Sequence, residues 1–93
     1  TLVTNHYTIS TNDYTILCNA NLQGITNTLP NATNISGRIL TFKRLDYGTN
    51  NYVVISPVSG QFIDGQTNIN IYQYMKSITI QSYSTNWYII GGY

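Results

Sequence analysis

Three features of this sequence predict an all-β fold, an antiparallel sandwich or a jelly-roll-like barrel of about eight short strands. Apolar and polar residues alternate along much of the chain, and a helical period appears nowhere. Turn formers return about every eight to twelve residues, the spacing of short strands in a sandwich or barrel. Between them lie β-branched and aromatic residues, which fit a pleated, half-buried surface.

The strands follow in chain order. His6 to Ser10 and Tyr14 to Cys18 come first, parted by Ser10-Thr11-Asn12-Asp13, residues that favour chain reversal. Ile25 to Leu29 is closed by Leu29-Pro30-Asn31. Arg38 to Leu45 follows, with Leu40 and Phe42 on one face beside both arginines, and Ile39 and Leu45 on the other beside Thr41 and Lys43. One face is therefore amphiphilic, which suits a strand lying partly against another subunit. Beyond the turn residues 46–51, Tyr52 to Ser56 is ended by Ser56-Pro57-Val58-Ser59-Gly60. Asp64-Gly65 is the sharpest local signal, because a two-residue type I′ turn needs positive φ at both central positions. Asn68 to Tyr72, Ser77 to Ser82 and Trp87 to Ile90 complete the set. Strict alternation in 68–71 and 77–81 predicts one buried aliphatic face on each. Gly91-Gly92 reads as a flexible end. No linker, low-complexity tract or internal repeat divides the chain, so residues 1–93 form one domain.

Composition removes most functional classes. Area scaling for a 93-residue, 10.5 kDa chain gives roughly 5,400 Å² of surface for a compact monomer. Such a domain is marginal without a disulfide, a metal or a partner. Cys18 is the only cysteine, and His6 and Cys18 are the only imidazole and thiol, so neither a disulfide nor a metal site is expected. Oligomerisation remains. Charged residues make up 8% of the chain, there is no glutamate and the net charge is +1, which weighs against nucleic acid as a partner. Arg38, Lys43 and Arg44 cluster in sequence, but on a strand they point to both faces and read as solvated or subunit-paired. No apolar run approaches the roughly 18 residues of a spanning helix, so membrane insertion is not expected. Met75 is the only methionine; Thr1 is therefore not an initiator, and the chain reads as a piece of a longer protein or a processed product.

Catalytic arrangements are thin. A nucleophile and base would have to be Cys18 or a serine with His6, and Cys18 lies in an apolar run where a lone cysteine is usually a small buried hydrophobe. Asp13, Asp46 and Asp64 fall in turns rather than flanking a site as paired carboxyls. No enzymatic activity or cofactor is expected. Asn31-Ala32-Thr33 and Asn34-Ile35-Ser36 match the glycosylation triplet, which arises readily by chance in a chain this rich in Asn, Thr and Ser. The nine tyrosines exceed what a small core holds. Tyr47, Tyr52, Tyr72, Tyr74 and Tyr83 fall in or beside turns, next to Asn50, Asn51, Gln73 and Asn86. Aromatic faces with amide hydrogen bonders suit sugar recognition, and packing between protomers is the competing use. Contact with a receptor would then run through Tyr83 or Tyr74 and the amides of Asn50, Asn51 or Asn86 rather than through charges.

Taken in order, Thr28-Leu29-Pro30, Gly37-Arg38-Ile39-Leu40-Thr41-Phe42-Lys43, Val54-Ile55-Ser56-Pro57, Ile63-Asp64-Gly65-Gln66, Ser77-Ile78-Thr79-Ile80-Gln81-Ser82 and Thr85-Asn86-Trp87-Tyr88-Ile89-Ile90 resemble a known pattern. It is that of the C-terminal head domain of trimeric viral and bacteriophage fibre proteins, including collagen-like surface proteins of giant viruses and their virophages. The resemblance covers about Tyr7 to Ile90. It implies a homotrimer at the distal end of a virion-surface fibre, outside the cell, with a stalk before Thr1 and attachment to a host or partner-virus surface, including its glycans. Gly37 would relieve the turn into a strand, Asp64-Gly65 would close a hairpin, and Trp87 would anchor the C-terminal edge. One departure stands out: such domains often carry Asp or Gly before the final Thr-x-Trp, and here Tyr83-Ser84 precedes it. A structural trimerisation cap without ligand and a carbohydrate-binding module of a secreted protein are the alternatives.

Overall fold

The computed structural model describes residues 1–48 and 50–92. Among these residues there are nine strands and no helix: β1 (Leu2–Val3), β2 (Tyr7–Thr8), β3 (Thr15–Cys18), β4 (Ile25–Thr28), β5 (Ile39–Arg44), β6 (Val53–Ser56), β7 (Ile69–Ile71), β8 (Ser77–Tyr83) and β9 (Asn86–Gly92). One sheet has the order β1-β3-β5-β8-β9 and the other β2-β4-β6-β7. Through its first six strands the chain changes sheet at every step, and each strand lies parallel to the one two places before it. Three stacked turns result, β1–β2, β3–β4 and β5–β6, wound like a flattened β-solenoid. The last three strands reverse: β7 pairs antiparallel with β6, β8 with β5, and β9 with β8.

All eight strands expected from sequence are present, their ends within two residues of the expected ones, and β1 is an addition. The expected antiparallel pairing and the barrel alternative are corrected: four of the seven ladders are parallel and neither sheet closes. Alternation usually marks an antiparallel sheet, because parallel sheets are normally covered on both faces. Here each sheet is covered only by the other, so its parallel strands keep a wet face and alternate too. Leu2 pairs with Leu17 whereas Ile16 pairs with Phe42, so successive turns lengthen and leave no fixed sequence repeat. Gly91-Gly92 is corrected as well: these residues belong to β9 and pair with Thr79 and Ile78.

The inward faces form one core. Ile16, Cys18, Leu40, Phe42, Ile78, Ile80 and Trp87 from the first sheet meet Ile25, Val53, Ile55, Ile69 and Ile71 from the second. The alternation in 68–71 and 77–81 thus marked the buried faces of β7 and β8. Asp64 and Gly65 take φ of 48° and 77°, and Ile63 and Gln66 exchange both backbone hydrogen bonds around them, the tight turn that the dipeptide demands. The Asp64 carboxylate also accepts the Ile89 N–H at 3.1 Å, tying the turn to β9. Gly37 enters β5 with φ 94°.

Connections gather at two ends of the coil. Residues 4–6, 19–24, 45–48 with 50–52, and 72–76 pass between the sheets at one end; 9–14, 29–38, 57–68 and 84–85 turn at the other. The predicted turn 46–51 includes Thr49, which lies outside the described residues. Thr1 belongs to the second end, with its amino group on the Thr15 carbonyl and its hydroxyl on Asp13.

Candidate functional site

The inward face of β5 runs from Leu40 and Phe42 into Arg44, whose side chain is completely buried. A buried guanidinium must have its donors satisfied. Its Nε and Nη2 reach the two carboxylate oxygens of Asp46 at 3.2 and 3.1 Å. Nη1 donates to the Ile71 and Tyr72 carbonyls, and Nη2 to those of Gly48 and Asn51 at 2.8 Å each. Asp46 also accepts the N–H groups of Ala20 and Gly48. Burial raises the Asp46 carboxyl, but the hydrogen bonds from Arg44 and those two amides outweigh it and hold the group below its ordinary range. Three connections are therefore fastened to one ion pair. The reading of Arg44 as solvated or subunit-paired is corrected, because its partner lies two residues along its own chain.

Over this anchor stand four exposed tyrosines. Tyr47 and Tyr74, from different connections, stack with ring centroids 3.8 Å apart and planes inclined by 19°. Tyr52 and Tyr72 meet edge to face at 5.6 Å and 86°. The Asn70 amide donates to the Tyr72 hydroxyl at 2.8 Å and fixes that ring. Beside Tyr72 opens a cleft of about 240 Å³ lined by Asn70, Ile71, Tyr72, Gln73, Lys76 and Ser77.

The structure divides the residues proposed from sequence. Tyr47, Asn50, Asn51, Tyr72 and Tyr74 share this end. Tyr83 and Asn86 lie at the other, the length of β8 away, about 20 Å for a seven-residue strand. A single site joining Tyr83 to Asn50 or Asn51, or Tyr74 to Asn86, is therefore corrected. Two of the amides also serve the fold: Asn51 donates to the Ala20 carbonyl at 2.8 Å, and Asn86 accepts the Phe62 N–H at 3.0 Å. Asn50 remains exposed. Tyr83 instead borders a groove of about 430 Å³ with Gly37, Gln81, Ser82 and Tyr88. Asn70 and Lys76 were missed. Period-two alternation was the available signal for Asn70, since it puts that residue on the face of Tyr72.

Other residues with chemical potential are spoken for. Cys18 is fully buried, and burial pushes its thiol up to about 11, far from a reactive thiolate. His6 is exposed, with Nδ1 accepting the Thr26 N–H at 3.0 Å. Asp13 binds the Thr1 and Tyr7 hydroxyls and the Ser10 N–H at 2.6, 2.7 and 2.8 Å. Asn31 holds the Gln61 amide, and Asn34 is exposed with φ 68°. Among the described residues, no three His, Cys, Asp or Glu side chains group as metal ligands, and no helix is long and apolar enough to cross a membrane. A scan against protein-family models and a search of curated proteins find no match to the chain.

Proposed function

We propose that this chain is a non-enzymatic contact domain, the head of a homotrimeric virion-surface fibre, whose tyrosine end holds a glycan of a host or partner-virus surface. One observation carries the reading: four exposed tyrosines are ordered in advance over a buried ion pair. Rings already held in place lose little conformational freedom on binding, so more of the stacking energy reaches the complex. Tyr47 and Tyr74 each cover one face of the other, and at 76% and 41% exposure both keep surface open to a sugar ring. Thr1 lies at the opposite end, so a stalk arriving there directs the tyrosines outward.

The outward face of the five-stranded sheet is the surface for neighbouring copies. It carries Leu2, Leu17, Ile39 and Tyr88 around a row of Thr15, Thr41 and Thr79, with the Thr41 and Thr79 hydroxyls 3.0 Å apart. Among the described residues, Lys43 is the only charged side chain on it. A face this poor in charge and bordered by apolar side chains loses little solvation when a second copy covers it.

A glycan array followed by titration tests the binding role. Tyr74→Ala, at an exposed position, should weaken binding about tenfold, about 1.4 kcal/mol, and leave the melting temperature nearly unchanged. Binding unaffected by loss of Tyr74 would remove the tyrosine end from the reading. A trimer that binds no glycan would be a structural cap.

A further inference from the structure

Charge is sorted between the two ends of this molecule in a way that the small net value conceals. At the tyrosine end Arg44 and Asp46 cancel inside the core. Lys43 and Lys76 remain. Lys43 stands opposite Ser77 in the β5–β8 ladder, and both Ser77 and Lys76 line the cleft next to Tyr72. The other two aspartates, Asp13 and Asp64, lie towards the opposite end, where Arg38 donates to the Ser10 and Asp13 carbonyls. The tyrosine end therefore carries two lysine charges with no side-chain carboxylate left to balance them.

Lys76 is also held in position. Its carbonyl accepts the Arg44 N–H at 3.0 Å, and its own N–H reaches the Gln73 carbonyl at 3.2 Å. The arginine that fastens the tyrosine loops thus also fixes the backbone of the cation. Its side chain is exposed and, among the described residues, makes no salt bridge.

We infer that the saccharide taken by this end is anionic, its ring lying on the tyrosines while its carboxylate or sulfate enters the cleft and pairs with Lys76. This rests on the glycan reading above. Two lysines are too few to follow a phosphate backbone, whereas one cation beside aromatic rings matches a single acidic group on a sugar. An exposed pair of this kind contributes modestly, so the acidic form should be preferred by about two- to five-fold rather than by orders of magnitude. Because such a pair is screened by salt, the preference should shrink as the Debye length falls from about 10 Å at 0.1 M to about 3 Å at 1 M.

The test is an array of paired glycans, each neutral chain beside its sialylated, uronic-acid and sulfated forms, with titration of the best pairs at both salt concentrations. Signal should concentrate on acidic members. Lys76→Gln should bring the acidic form down to the affinity of the neutral one, while Tyr74→Ala weakens both. Binding to sialylated and uronic members but not sulfated ones would mark a carboxylate site, and the reverse a sulfate site. Equal affinity for neutral and acidic partners, or a preference that survives Lys76→Gln, would overturn the assignment and leave the glycan reading standing. No binding to any member would overturn both.

Discussion

Trp87 is wholly enclosed, yet among the described residues its indole Nε1 has no hydrogen-bond partner. Removing a buried tryptophan costs about 3–5 kcal/mol, while an orphaned buried donor costs the native state about 1–3 kcal/mol. Packing wins. Trp87→Ala should lower stability by about 3 kcal/mol or more in urea melts, whereas Trp87→Phe, which drops the orphan and leaves a smaller cavity, should cost clearly less than Trp87→Ala. Asp13 supplies a pH dependence at the same scale. Burial alone would raise its carboxyl, but hydrogen bonds from Thr1, Ser10 and Tyr7 outweigh that and hold it at about 2, against 3.8 unperturbed. A depressed carboxyl stabilises the fold above its unfolded value, and that contribution fades as the pH falls from about 4 through about 2. Asp46 acts in the same direction. Melts at pH 5, 3 and 2 should therefore show falling stability, and Asp13→Asn should remove part of the slope.

Among the elements, the β8–β9 hairpin holds a correctable strain. Tyr83 pairs with Asn86 across Ser84-Thr85, and Ser84 takes φ 58°, a left-handed position that glycine fills more easily. This is the place where Ser84 departs from the fibre-head pattern. A non-glycine residue there costs about 1–2 kcal/mol, of which glycine's freedom in the unfolded chain returns about 0.5–1 kcal/mol. Ser84→Gly should therefore stabilise by about 0.5–1 kcal/mol and raise the melting temperature by a few degrees. The Ser84 N–H bond to the Ser36 hydroxyl, 2.9 Å, survives the change. At the far edge of each sheet, β1 and β2 have only two residues each, and such short edges offer little template for stray pairing.

On the scale of the whole molecule, the radius of gyration is 12.2 Å, against about 12.3 Å for a compact domain of this length. The surface of 5228 Å² likewise sits near the roughly 5,400 Å² of a self-contained monomer. The core closes within one chain, so the proposed trimer would be built through the outer surfaces. Light scattering on the isolated domain should give three times the 10.5 kDa of one chain. Thr79→Lys, which sets a charge in the middle of the outward face, should reduce that mass to a single chain while the circular dichroism stays the same. A trimer that persists would move the contact elsewhere, and a single-chain mass for the native sequence would end the trimeric reading.

Alternation and turn chemistry act between neighbours in sequence, and for that reason the all-β class, the positions of eight strands, the Asp64-Gly65 turn and the inward faces of β7 and β8 were legible without coordinates. Which strands pair, and in which direction, depends on where the connections travel; a parallel coil and an antiparallel sandwich write the same alternation when each sheet has one wet face. The candidate site followed the same division. Tyr47, Tyr72 and Tyr74 could be picked out as aromatic residues beside turns, but their convergence depends on the Arg44–Asp46 pair, whose buried partners come from three separate connections. Local pattern likewise gave no reason to part Tyr83 and Asn86 from that group, because only the path of β8 puts them at the opposite end. Short-range preferences of backbone and solvent are enough to say where the chain reverses and which faces of β7 and β8 turn inward. The parallel winding, the buried charge of β5 and the gathering of four tyrosines came only with the fold, since each needs contacts between residues far apart along the chain.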